Sequence, residues 1–328
     1  MTVKLLDYQY KSSLSILIDS LVKEKRASGY IYNNEARIFK NLDEYWFKYS
    51  YPAELTLENL DGWLRKRPTE GNKSLSNRIT AVRVLAVHML SLGRIAVIPE
   101  NKVRIEKPMI HVLNSAEIED LFERLDEPVD FKRKNQRHLR LHDSCRVELR
   151  LILCLGLRNG EACSLKTENF DYEKRTLKIL DAKNEKQRVV FLTQELADML
   201  VNHIKYIANT YGCTSDWLFP GYDTRSPITV HTVEKHFNRA WNKTSFADKV
   251  DKKPTVHSLR HTFVMLRIRM WEEEGKDVNK LLPYLTKHLG HSTLDETYYY
   301  YQRIQESLET IRRKDNLTDS VIPEVYGL

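Results

Sequence analysis

The sequence has few of the features that would place a protein in a membrane or outside the cell. None of its apolar runs approaches the roughly 18 uninterrupted residues that a membrane-spanning helix needs. The N-terminal residues lack the long apolar segment and small-residue cleavage site of a secretory signal. These absences predict a cytoplasmic protein.

Cysteine is also scarce. There are four cysteines, widely separated and without a Cys-x-x-Cys pair, so a cysteine-based zinc site is not expected. We expect reduced, buried thiols at Cys145, Cys154, Cys163 and Cys213. The Gly-x-x-x-x-Gly-Lys-Ser/Thr loop that binds nucleotide phosphates is absent as well. The sequence therefore predicts no metal and no other cofactor.

Positive charge is what the sequence has in excess. Its net charge is +7 and its pI is near 9.0, which suits a nucleic-acid partner because neutralising phosphates releases their counterions. The 328 residues are long for one compact domain and sufficient for two, and 41% of them are hydrophobic. A two-domain protein with ordinary globular cores is expected.

Apolar spacing divides the chain into a helical N-terminal part and a larger second part. In the first part, helical periodicity covers residues 12–25, 35–49, 57–66 and 74–92. Residues 98–108 carry two prolines, alternating charge and no helical period, as a linker does. In the second part, alternation predicts a β-hairpin of residues 176–180 and 189–192. Helices are predicted around it at residues 146–157, 195–211, 229–242, 258–273, 280–285 and 296–313. The predicted fold is mainly α with a small β-sheet (α+β).

Two segments of the second part could serve a phosphate. Arg158 lies between glycines after an apolar helix, where its planar fork could grip phosphate oxygens; a surface salt bridge with Glu161 is the alternative. The hairpin loop carries Lys183, which could deliver a proton to an oxygen leaving a phosphate. An exposed charged turn is the commoner explanation of such a loop.

Two further segments complete the set. His257 and Arg260 are three residues apart and share one face of a helical turn, which puts a general acid/base beside a phosphate-binding cation. His291 is followed by four consecutive tyrosines at residues 298–301, which on a helix are normally packing residues.

Together these four segments resemble the tyrosine recombinases, the integrases of phages and mobile elements and their Xer-type relatives. The family pattern is met by Gly-Leu-Arg-x-x-Glu at residues 156–161, by Lys183, Lys186 and Arg188, by His-x-Leu-Arg-His-Thr-Phe at residues 257–263, and by Leu-Gly-His-Ser at residues 289–292. The family's nucleophilic tyrosine stands nine residues after the last histidine, which is Tyr300 here. Leu155 replaces a common threonine, and Asn184 replaces the usual glycine. The run of tyrosines makes the choice of Tyr300 depend on register, with Tyr299 and Tyr301 as the alternatives.

The resemblance implies a metal- and ATP-independent DNA strand transferase that works through a 3′-phosphotyrosyl intermediate. It implies a helical, SAM-like core-binding domain at residues 1–105, a catalytic domain at residues 106–315, and a C-terminal tail at residues 316–328 that contacts another protomer or packs on its own. The implied catalytic residues are Arg158, Lys183, His257, Arg260, His291 and Tyr300. Glu161 is expected to orient local structure rather than to react with DNA.

The partners implied are double-stranded DNA with specific recombination sites, and three further copies of the chain in a homo-tetramer on paired sites. A monomer or dimer is expected off DNA, and a directionality factor could join the complex; the protein would be nucleoid-associated. DNA contacts are expected from charged side chains outside the catalytic set: Arg78, Arg83, Lys132, Arg133, Lys134, Arg137, Arg140, Lys186 and Arg188. A type IB topoisomerase and an inactive DNA-binding regulator on the same fold are the alternatives.

Overall fold

The computed structural model describes residues 5–105, 111–128, 135–180 and 187–291, together with residues 293 and 298. The chain divides into two compact units, Met1–Pro108 and Met109–Leu328. The predicted helix at residues 296–313 and the tail at residues 316–328 lie outside the described residues, apart from residue 298. The same holds for six of the predicted site residues: Lys132, Arg133, Lys134, Lys183, Lys186 and Tyr300.

The N-terminal unit consists of helices joined by short loops. They are α1 (Ser15–Ala27), α2 (Asn33–Lys48), α3 (Leu57–Leu64) and α4 (Asn72–Ser91). Their apolar stripes meet in one core that includes Trp46, Trp63 and Met89. Thr56 begins α3 by accepting the N–H of Asn59 on its hydroxyl, which satisfies one of the unpaired donors of the first turn.

One predicted DNA contact in this unit is wrong. Arg78 is buried, and its guanidinium donates to both carboxylate oxygens of Glu70 and to the backbone carbonyls of Trp63 and Arg65. A side chain that is enclosed and directs four of its five N–H groups to the protein itself is not placed to contact a DNA phosphate. Arg83 is half-buried and donates to the carbonyl of Pro99, so its role on DNA stays a prediction.

The second unit is also mainly helical and carries the predicted hairpin. Its helices are α5 (Ser115–Asp126), α6 (Gln136–Leu155), α7 (Asn159–Cys163), α8 (Gln194–Tyr211), α9 (Val230–Trp241), α10 (Val256–Glu273) and α11 (Val278–Leu289). Strands β1 (Phe170–Asp171), β2 (Thr176–Leu180) and β3 (Gln187–Phe191) form an antiparallel sheet in that order. The predicted fold class is confirmed. None of the helices described here is long and apolar enough to cross a membrane.

Two further expectations for this unit need correction. Arg140, a predicted DNA contact, lies on α6 and is buried, where it donates to the carbonyls of Pro220 and Gly221. It ties α6 to the loop before α9 and offers nothing to DNA. Arg137, one turn earlier, is exposed and stacks on the ring of Tyr222, so it remains a candidate contact. The four cysteines are free, as expected, but Cys154 is exposed and Cys213 is half-buried rather than buried.

Candidate active site

Arg158 is placed by the abrupt turn between α6 and α7. Gly156 ends α6 with a φ of 64°, and a Cβ at this position would lie 2.3 Å from the ring of Phe263, so only glycine suits the turn. Arg158 then begins α7, and its backbone N–H donates to the carboxylate of Glu161 at 2.8 Å. The short helix thus brings Glu161 back beside the arginine that precedes it.

The carboxylate of Glu161 is the centre of an arginine cluster. Arg158 donates to its Oε1 at 2.8 Å, and Arg188 of β3 donates to Oε1 at 3.0 Å and to Oε2 at 2.8 Å. Arg260 of α10 lies 3.8 Å from Oε2. Burial would raise the pKa of Glu161, but the hydrogen bonds and charge of Arg188, with help from Arg158 and Arg260, lower it to about 2. The group is therefore ionised, and three guanidiniums around one carboxylate leave two positive charges in excess.

The same three arginines bind the C-terminal end of α11. The last carbonyls of a helix have no partner within it. Here the carbonyl of His288 accepts from Arg188 at 2.6 Å, that of Leu289 from Arg260 at 2.9 Å, and that of Gly290 from Arg158 at 3.1 Å. Cations also suit the negative end of the helix dipole. One arginine from each of three elements therefore fixes the end of α11, from which His291 projects.

His291 is bound directly to the cluster. Arg260 lies with its Nη2 2.8 Å from His291 Nε2. Because arginine can only donate, Nε2 accepts, and the neutral ring carries its proton on Nδ1. Burial and the charges of Arg260, Arg158 and Arg188 lower the pKa of His291 to about 3. The ring is therefore neutral at physiological pH.

Arg260 and His257 come from the first turns of α10. Arg260 is 1% exposed and also donates to the carbonyl of Gly156 at 2.7 Å, which joins α10 to the turn that carries Arg158. His257 is exposed, and its ring meets that of His261 edge to face at 4.4 Å between centroids. Partial desolvation and the charges of Arg260 and Arg158 lower the pKa of His257. Its ring is therefore neutral at physiological pH and able to accept a proton.

The structure thus brings three predicted catalytic residues, Arg158, Arg260 and His291, into one hydrogen-bonded cluster around Glu161 and the end of α11. Arg188 was predicted to contact DNA, and this stays a prediction; in the structure its guanidinium is bound to Glu161 and to the carbonyl of His288. The signal was present in the sequence. Side chains alternate along a strand, and residue 188 lies on the same face as the buried Val190.

Comparison with known proteins identifies the family. The model of the phage integrase family matches residues 111–307, which is more than half of the chain. The chain belongs to the phage integrase family. It is therefore a tyrosine-type site-specific recombinase by class.

Individual relatives agree with that assignment. A tyrosine recombinase of Pseudothermotoga lettingae is 29% identical, over 80% of this chain and 82% of its own. The fold is similar to that of the XerH recombinase in a pre-cleavage complex with its difH substrate, with a TM-score of 0.62, 21% identity and coverage of 93% of this chain and 91% of that one. It is also similar to lambda integrase in a tetramer bound to a Holliday junction, with a TM-score of 0.59, 16% identity and coverage of 88% and 76%.

Proposed function

We propose that this protein cuts and rejoins duplex DNA at a specific sequence through a 3′-phosphotyrosyl bond to Tyr300. The observation that carries the proposal is the cluster of Arg158, Arg260 and His291 around Glu161. Together with Arg188, it holds two excess positive charges, and it presents Arg158 with 36% of its side chain exposed. A phosphodiester is an anion whose oxygens match such planar, charged donors.

The cleavage step follows from the roles of these groups. The hydroxyl of Tyr300 attacks the scissile phosphorus in line, a P–O bond forms to tyrosine, and the bond from phosphorus to the 5′-oxygen breaks. A tyrosine hydroxyl titrates near pH 10, so a base must take its proton; neutral His257 is suited to that task. Lys183 delivers a proton to the departing 5′-oxygen. The reverse attack by a 5′-hydroxyl of a partner duplex rejoins the strands.

The arginines and His291 act on charge that develops in the transition state. Arg158 and Arg260 stabilise the non-bridging oxygens of the pentacoordinate phosphorus, and the Nδ1–H of His291 adds a neutral donor. Fixing these donors through the carbonyls of α11 keeps them from reorganising during the reaction. Glu161 takes no proton in this scheme, because its low pKa keeps it ionised throughout.

The larger assembly is part of the same proposal. XerH and lambda integrase are described as DNA complexes, the second as a tetramer on a Holliday junction. We propose by analogy that residues 1–105 bind DNA, that four copies act on paired sites, and that the protein serves a phage or another mobile element on the nucleoid.

Covalent capture tests the proposal. Cells expressing the wild type or Tyr300→Phe are lysed in detergent, and DNA that stays attached to protein is sequenced; Tyr298→Phe serves as the matched control because Tyr298 is an exposed neighbour in the same run. We expect the wild type and the control to trap a recurring sequence and Tyr300→Phe to trap none.

Each of the other outcomes contradicts one specific part of the proposed function. Trapping that persists in Tyr300→Phe moves the nucleophile to Tyr299 or Tyr301. Trapping without sequence preference favours a topoisomerase activity. Binding of DNA without any covalent complex supports a regulator and refutes the enzymatic proposal.

A further inference from the structure

Arg188 differs from Arg158 in how far its side chain is enclosed by the protein. Its side chain is 13% exposed, compared with 36% for Arg158. All three of its nitrogens are engaged, since Nε donates to the carbonyl of His288 while Nη1 and Nη2 donate to the two oxygens of Glu161. These three bonds commit one N–H of each nitrogen to the protein, so the planar, paired donor geometry of the guanidinium is already taken by Glu161.

Close packing makes this arrangement specific. The Nη1 of Arg188 would lie 2.8 Å from a Cβ at residue 290, so a side chain there would displace the guanidinium from its present position. Gly290 also takes a φ of 65° there, a conformation that glycine adopts without strain. The Leu-Gly-His segment therefore accommodates Arg188 as well as turning the chain towards His291.

The charge of Glu161 explains why a third arginine is needed. A buried carboxylate beside Arg158 and Arg260 would draw both towards itself and weaken their field at a bound phosphate. Arg188 binds both carboxylate oxygens side by side, the strong geometry for this pair, and is their main counter-ion. Glu161 can then orient Arg158 without cancelling its charge.

We infer that Arg188 is a positioning residue, which compensates Glu161 and holds the end of α11 so that Arg158, Arg260 and His291 face the scissile phosphate. The part of this inference that concerns catalysis rests on the proposed function. Arg188 itself touches no DNA.

The test compares Arg188→Gln, Arg188→Lys, Glu161→Gln and the double variant Arg188→Gln/Glu161→Gln. Lys178→Gln removes one positive charge from the exposed face of the same hairpin and is the matched control. Binding to a short mixed-sequence duplex is measured over a range of salt concentrations. Covalent-complex formation is measured on a duplex that carries the sequence recovered by capture.

We expect Arg188→Gln to bind DNA with an unchanged salt dependence and to form covalent complex about 10- to 100-fold more slowly. Arg188→Lys keeps the charge but not the paired hydrogen bonds, so it should recover only part of the rate. The double variant should be faster than Arg188→Gln, because it no longer holds an uncompensated carboxylate beside Arg158. The logarithm of the binding constant falls linearly with the logarithm of the salt concentration. If this slope were shallower by about 0.9 in Arg188→Gln, a phosphate contact would have been lost and the inference would be overturned. A double variant no faster than the single one would overturn it as well.

A third measurement does not depend on catalysis. Glu161 stabilises the fold as an ion above its ordinary pKa of 4.5, and this contribution is lost as the pH falls towards 2. The difference in unfolding free energy between the wild type and Arg188→Gln should therefore narrow below pH 4.5, which it should not do for Lys178→Gln. If the difference in unfolding free energy does not narrow, Arg188 is not the counter-ion of Glu161. Should the wild type form no covalent complex, the proposed function fails, while the salt and pH measurements still decide whether Arg188 acts on Glu161.

Discussion

Each of the two units of the chain buries a glutamate against arginine, but the number of arginines around the glutamate differs. In the N-terminal unit, Glu70 forms a buried ion pair with Arg78, and their side chains are 8% and 7% exposed. In the second unit, Glu161 is shared by Arg158, Arg188 and Arg260. The first pair has no net charge, and Arg78 also lies over the ring of Trp63. The second group keeps a positive excess and an exposed arginine, which is what binding of an external anion requires.

A third buried glutamate shows what happens without arginine. Glu148 on α6 is fully buried, and neither of its carboxylate oxygens has a hydrogen-bond partner among the described residues. Burial raises the pKa of Glu148 to about 8. By contrast, hydrogen bonding to Arg78 lowers the pKa of Glu70 although burial opposes it. The same side chain is therefore an ion or a neutral acid according to its arginine neighbours.

Removing Arg78 should have the largest effect on stability. Arg78→Gln leaves Glu70 buried without its counter-ion, which should lower the free energy of unfolding by about 3 to 5 kcal/mol. Urea denaturation measures this, with Arg65→Gln as control because its ion pair with Asp61 is exposed and worth less than about 1 kcal/mol. Equal losses in the two variants would show that burial does not distinguish the pairs.

Removing Arg158 should affect catalysis more than stability. Arg158→Gln should slow covalent-complex formation by about 100- to 1,000-fold, because a fixed donor to the transition state is lost. The loss of stability should stay below about 1 kcal/mol, since Arg158 is partly exposed and Arg188 remains beside Glu161. A variant that unfolds as readily as Arg78→Gln would contradict the division of roles between the two units.

Glu148→Gln should have an effect that depends on pH, smallest below pH 4.5 and growing as the pH rises. Folding keeps Glu148 protonated, so its contribution is fully present below pH 4.5 and is lost as the pH rises towards 8. The wild type should therefore lose stability relative to Glu148→Gln over this window, by up to about 1.4 kcal/mol per pH unit. Urea denaturation at pH 5 and at pH 8 measures the change. A difference that does not grow with pH would mean that Glu148 is already paired.

Helical and strand periodicity predicted most of the elements to within a few residues. The hairpin strands and helices α8 to α10 are examples, because their apolar positions repeat strictly and their ends carry capping residues such as Thr193 and Thr229. Helix α6 begins at Gln136, ten residues before the predicted start at residue 146. The prediction missed these residues because the first turns of the helix are polar and basic. Helix α7 and strand β1 were not predicted, since five and two residues are too short to show a period.

The predictions were weakest for charged side chains. Arg78, Arg140 and Arg188 were all expected to face DNA, and each is bound inside the protein to carbonyls or a carboxylate. A basic residue in a sequence is exposed by default, because burying a charge is costly unless it is fully paired. Whether such pairing exists depends on distant segments, such as the loop at residues 220–222 for Arg140.

The sequence by itself determined the family, the fold class and the order of the catalytic segments, because periodicity and short motifs are local properties of a chain. Only the tertiary structure decided what each arginine does. Arg158, Arg188 and Arg260 come from three elements separated by up to 102 residues in the chain, and they meet at one carboxylate and one helix end. The strength and direction of a charge interaction depend on distance and burial, which exist only once the chain has folded.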